Sequence, residues 1–165
     1  MGLDMFLFEV PKIGEMTCEE VLSVHVELGR LKSEKNELYE QVKPYVKNFV
    51  KYGHKWKSLL TEVAYWRKAN QIHHWFVENV QEGVDPSDPY EVSREQLVGL
   101  HQLCIKVIDT KQAPALLPTQ PGFFFGSTDY DDYYYLDVEY TKSITEILLN
   151  TFNFDTHYLV YQSSW

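Results

Sequence analysis

"TEVAYWRKANQIHHWFVENVQ", residues 61–81, is the stretch that decides what kind of fold this chain takes. Read at helical spacing, Val63, Tyr65, Trp66, Ala69, Ile72, Phe76, Val77 and Val80 share one broad arc. Thr61 stands where a helix cap belongs, and Gly83, Asp85 and Pro86 follow where a helix should stop. One helix from Thr61 to about Gln81 is therefore expected. Asn70 and His73 fall inside its apolar arc, with Arg67 and His74 at the edge beside Asn70. A buried polar group left without a partner costs about 1–3 kcal/mol, so these side chains need partners. Trp75 projects to the opposite side and is expected to meet solvent or another surface.

Outward from this segment, the elements alternate in kind. The apolar run 3–9 reads as a strand. "TCEE" at 17–20 is a capping box, with Thr17 as the cap and Glu20 three residues on, so a helix should run to about Leu31. Ser93 caps a further helix to about Thr110. Pro114, Pro118 and Pro121 forbid regular structure in the following loop. Thr128 and Asp131 fit another capping pattern, opening a helix from about Asp129 to Phe152, and residues 156–164 read as a final strand. Residues 30–57 are harder to place. Tyr45, Phe49, Tyr52 and Trp56 recur at helical spacing, as do Lys43, Lys47, Lys51 and Lys55, giving an aromatic and a lysine stripe on one amphipathic helix. Gly53 argues for a break, which leaves a hairpin open as well. The expected architecture is α+β: a mostly helical single domain, residues 1–165, with a small antiparallel sheet formed by the N- and C-terminal strands. Residues 30–57 read as a basic insertion, helical or hairpin.

Composition narrows function more than fold. The chain has 165 residues and a formal charge of -9, which argues against nonspecific binding to nucleic acid through phosphates. Residues 30–57 hold eight bases and three acids, whereas 78–165 hold four bases and fourteen acids. Such opposed charge could join two copies, so a homodimer is expected. The 12 Tyr and 15% aromatic content suit either a tightly packed core or a surface for planar groups. No apolar run approaches a membrane span of about 18 residues. The N-terminus lacks a basic region ahead of an apolar one, and Phe6 stands where a myristoylation pattern needs Ser or Thr. Cys18 and Cys104 have no metal or redox spacing. Cys104 reads as a buried free thiol, which fits a reducing cytoplasm.

The second polar intrusion lies in the last helix. Tyr130, Tyr133, Tyr134, Tyr140, Ile144, Ile147 and Leu148 share an arc that also contains Asp137. An ionised carboxylate is rarely buried unpaired, and His73 or Arg67 is the candidate partner. Two readings follow: an internal structural pair, or a pocket where Arg67, Asn70, His73 or His74 and Asp137 converge. The run "GFFFGST", 122–128, belongs to the same question. Gly122 and Gly126 permit close backbone approach, one of the three Phe can face a cavity, and Ser127 and Thr128 lie at a helix N-terminus. Asp129, Asp131 and Asp132 would repel a phosphate there. The candidate ligand-binding set is Trp66, Arg67, Asn70, His73, His74, Phe124, Ser127, Thr128, Tyr130 and Asp137. No catalytic residue, metal or cofactor is assigned. Phosphate-loop, nucleophile-elbow, dinucleotide and zinc-protease motifs are absent from the sequence, and His73 and His74, adjacent on a helix, would point about 100° apart.

Four pieces of the chain carry a resemblance: "MGLDMFLF" at 1–8, "EVAYWRKANQIHHWFVENVQ" at 62–81, "LLPTQPGFFFGSTDYDDYY" at 116–134 and "YQSSW" at 161–165. Together they resemble a group of small uncharacterised proteins encoded by phages and prophages. The resemblance implies an accessory role in the cytoplasm of an infected bacterium and brings no activity or catalytic residues with it. Three functions compete. The first is an anti-defence protein that binds a nucleotide-like ligand and sequesters a host immune signal. The second is an acidic inhibitor covering a basic nucleic-acid-binding surface of a host defence effector. The third is a nucleotide-processing enzyme using a His73/Asp137 pair.

Overall fold

The structure is a computed structural model that describes residues 2–51 and 53–165. A four-stranded antiparallel sheet lies at its centre. Strand β1 (Asp4–Pro11) pairs along its whole length with β6 (His157–Ser164), from Asp4↔Ser164 to Pro11↔His157. The terminal strands pair with each other, as the sequence led us to expect, and they form the middle of the sheet. On the outer flanks sit β4 (Thr61–Arg67) and β5 (Tyr90–Val92).

Period-two alternation divides the two faces. Leu3, Met5 and Leu7 with Ala64, Trp66, Leu159 and Tyr161 build the larger core, under helices α3 (Asn70–Asn79), α4 (Arg94–Thr110) and α6 (Asp132–Thr151). Val10 and Val160, on the opposite face, meet α1 (Cys18–Ser33) and α2 (Glu37–Val42) in a second core. The capping boxes of α1 and α4 both form, Thr17 with Glu20 and Ser93 with Gln96, each contributing about 1 kcal/mol. Both cysteines are buried free thiols, and burial pushes each up to about 12. Among the described residues no helix is long and apolar enough to cross a membrane.

Several expectations need correction. Residues 61–81 are not one helix: "TEVAYWR" is strand β4, and the helix begins only at Asn70. Ala64 and Trp66 are buried while Tyr65 and Arg67 are exposed, a strand's alternation. Lys68 makes the break at φ +60°, in the left-handed region. Trp75 is then buried against Phe76, edge to face at 5.2 Å, rather than facing solvent. Of the two readings left open for the basic segment, the hairpin forms, with β2 (Lys47–Lys51) paired to β3 (His54–Ser58) and Gly53 at φ +78°. Phe49 and Trp56 stack across it at 6.0 Å; Tyr52 of the expected aromatic stripe lies outside the described residues. Finally, α6 buries Tyr134, Val138, Thr141, Thr145 and Leu148. Tyr133, Tyr140 and Ile147 are exposed, because the buried stripe runs one position away from the arc expected for them. The proline-rich loop also holds one short helix, α5 (Ala113–Leu116), with Pro114 in its first turn.

Candidate ligand-binding cleft

The break at Lys68 builds the site. It turns the chain so that Arg67 and Lys68, at the end of β4, and Gln71, in the first turn of α3, face the loop before α6. Gly126, Ser127, Asp129 and Asp131 come from that loop, and Tyr133, Tyr134, Leu136 and Asp137 from the opening turns of α6. Between them lies a cleft of about 450 Å³, within the range of about 300–1,000 Å³ used by small-molecule sites.

The loop wall is held by Asn70. Its amide nitrogen donates to the carbonyls of Phe125 at 3.0 Å and Ser127 at 2.7 Å, and its Oδ1 accepts from the Gln120 N–H at 2.9 Å. The Thr119 hydroxyl donates to the Thr128 carbonyl at 3.0 Å, and its N–H to the Tyr130 hydroxyl at 3.3 Å. Asp131 caps α6, accepting from the Tyr134 N–H at 3.0 Å. Gly126 holds φ +89°, and a side chain there would press on Lys68 at 3.1 Å.

Chemically the cleft is mixed. Arg67 and Lys68 supply positive charge, Asp129, Asp131 and Asp137 negative charge, and Tyr133 an aromatic face that is 77% exposed. Burial pushes the Asp137 carboxyl up to about 6, opposed by a hydrogen bond from Gln71 and aided by the charge of Asp131. The Gln71 amide beside it donates to the Tyr134 carbonyl at 3.4 Å, and keeps a second N–H and a carbonyl oxygen to offer a ligand.

Of the residues singled out in the sequence, the structure brings Arg67, Ser127 and Asp137 together in this cleft. Trp66 is in the core instead, its indole N–H donating to the Thr141 hydroxyl at 2.9 Å, so it cannot stack on a ligand. Asn70 spends its hydrogen-bonding groups on the loop. His73 is fully buried, its Nδ1 against the Tyr161 hydroxyl at 2.8 Å and its Nε2 against Asp85 at 2.9 Å. The expected His73–Asp137 pair is therefore not formed, and His73 cannot reach a substrate. No ion pair joins Arg67 to Asp137 among the described residues. His74 is half-buried and its Nδ1 has no partner. Phe124 packs on the core while its carbonyl accepts from the Leu3 N–H at 3.0 Å. Thr128 and Tyr130 belong to the loop's own hydrogen bonds. Gln71, Lys68, Asp131 and Tyr133 line the cleft but stood outside the candidate ligand-binding set; Gln71 reads as a first-turn residue only once the helix is known to start at Asn70.

Compared with protein-family models, curated proteins and solved structures, the chain matches none. Function therefore has to be argued from the cleft.

Proposed function

We propose that this chain is a phage accessory protein with an anti-defence role, which captures a small nucleotide-like ligand in the Arg67–Asp137 cleft and so withdraws a host immune signal. The observation that carries the reading is that one cleft is lined by Gln71 and Asp137 together with Arg67 and Lys68. An amide beside a carboxyl can match the donor and acceptor groups on the edge of a planar base. Arg67 and Lys68 suit a phosphate, and Tyr133 offers a ring to stack on. Asp129 and Asp131 set the limit, since each added phosphate would meet their charge. A ligand with one phosphate fits better than a polyphosphate. Calorimetric titration with the four nucleoside monophosphates tests this. Binding tighter than about 100 μM for at least one, weakened at least tenfold in Arg67→Ala, supports the reading. No heat with any of them at millimolar concentration would overturn the monophosphate assignment.

A second reading has its own observation. The outward face of α6 carries Tyr133, Leu136, Tyr140 and Ile147, all exposed, among exposed Asp132, Glu139 and Glu146. Such a surface, aromatic and acidic, suits the inhibitor of a basic host protein surface. Tyr140→Ala with Ile147→Ala separates the two: it abolishes protection of the phage under this reading and leaves ligand capture intact under the first.

A further inference from the structure

The loop that walls the cleft has a second cavity on its other side, about 480 Å³, lined by Asp85, Gln120, Phe123, Phe124, Phe125 and Trp165. Phe123 is 96% exposed there, although it is a large apolar side chain with nothing to gain from water. Phe124 meets it edge to face at 4.8 Å, and Phe125 meets Trp165 likewise at 5.8 Å. Gly122 makes this packing feasible, because a Cβ there would lie 2.6 Å from the Phe125 ring. Four aromatic rings thus surround one opening.

Its polar side is an anion without a cation. The Asp85 side chain is only 18% exposed, and its Oδ2 takes one hydrogen bond, from His73. Burial lowers the His73 imidazole below its usual value against the opposing pull of Asp85, so at neutral pH the ring is uncharged. It donates through Nε2 to Asp85 and accepts at Nδ1 from Tyr161. No lysine or arginine bridges Asp85 among the described residues. Its other oxygen, Oδ1, is covered and has no hydrogen-bond partner, and the same holds for Gln120 Oε1. A covered carboxylate and a covered amide oxygen, both unpaired, are costly to keep empty-handed. The Gln120 side chain makes no hydrogen bond of its own among the described residues, so it can swing aside to admit a donor.

We propose that this aromatic cavity binds a guanidinium group, through hydrogen bonds to Asp85 and Gln120 and stacking against the Phe123–Phe125 and Trp165 rings. A planar cation with several N–H donors satisfies both orphaned oxygens at once and is attracted by the ring faces. The group could come on a free small molecule or on an arginine side chain of a protein. This site shares the loop with the proposed nucleotide cleft but does not depend on it. Titration of the intact chain, followed by the Trp165 indole N–H in NMR spectra, tests the inference. The probes are agmatine and a glycine heptapeptide with one central arginine; the same peptide with neutral citrulline is the control. Saturable shifts with agmatine or the arginine peptide below about 1 mM, and none with citrulline, are expected. Tighter binding of the peptide assigns the group to a protein partner, and equal or weaker binding assigns it to a free cation; either outcome supports the site. Phe123→Ala, at a position too exposed to matter for folding, should weaken binding roughly threefold to fivefold. Asp85→Asn should weaken it at least tenfold. Unchanged spectra with both cationic probes, or equal affinity in folded Asp85→Asn and Phe123→Ala, would overturn the proposal.

Discussion

Asn70 holds Ser127 from inside the protein: its buried side-chain amide donates to the Ser127 carbonyl at 2.7 Å. The same side chain grips Phe125 and Gln120, so one residue of α3 fixes the loop that divides the cleft from the aromatic cavity. Gly122, Phe123, Gly126 and Ser127 are themselves exposed and contribute little burial.

Asn70→Ala should therefore lower stability by about 2–4 kcal/mol, the loss of a buried group serving three backbone partners. Urea denaturation should show a lower midpoint at an unchanged slope. A variant as stable as the parent would mean that the loop is held by something other than Asn70.

Asp137 gives a pH signature. Its folded value, about 6, lies above its ordinary 3.8. The stability this group contributes is fully present below the ordinary value and is lost as pH rises through about 6. Asp137→Asn removes that loss. Relative to the parent it should gain about 1 kcal/mol at pH of about 8, a figure discounted for partial exposure, with the difference vanishing near pH of about 4. Thermal melts of both proteins across that range check it; parallel profiles would refute the buried position of the carboxyl.

Gly122→Ala sets a new methyl group 2.6 Å from the Phe125 ring. The ring must move, and overpacking of this kind costs about 1–3 kcal/mol. The expected outcome is a lower denaturation midpoint together with a shifted Trp165 indole resonance, since Phe125 packs on Trp165.

Residues Lys47 and Ser58 are paired across the base of the hairpin, so 48–57 can be replaced by an Asn-Gly turn without disturbing the strands of the main sheet. The melting temperature should fall by no more than a few degrees. The shortened chain also loses Lys51, Lys55 and Lys57. If opposed charge joins two copies, sedimentation in low salt should show association by the parent and not by this variant.

How far the sequence could be read is clearest at three places. The terminal strands and the capped helices α1 and α4 were legible because periodicity and cap chemistry agreed there. Residues 61–69 were not, because Val63, Ala64, Tyr65 and Trp66 are all apolar and continue the helical pattern beside them. The break falls on Lys68, whose positive φ is marked by no glycine or proline. The hairpin stayed one of two readings because a spacing of four keeps residues on one side of a helix and equally on one side of a strand. At the site, Asp137 was legible as a carboxylate inside an apolar arc, Arg67 as a charge at the edge of one, and Ser127 as a hydroxyl beside the start of the last helix. Trp66 and His73 were assigned to a ligand because the sequence does not say which buried partner, Thr141 or Asp85, answers them.

The central claim is that the Arg67–Asp137 cleft captures a nucleotide-like ligand, and native mass spectrometry of the protein recovered from phage-infected bacteria tests it most directly. Parent and Arg67→Ala should be recovered side by side; Arg67 is exposed, so the substitution should leave the melting temperature unchanged. The account predicts a small extra mass on the parent, released on denaturation with the ultraviolet absorbance of a nucleobase, and its loss from Arg67→Ala. A parent with the mass of the bare chain, or an Arg67→Ala variant that retains the same ligand, would contradict it.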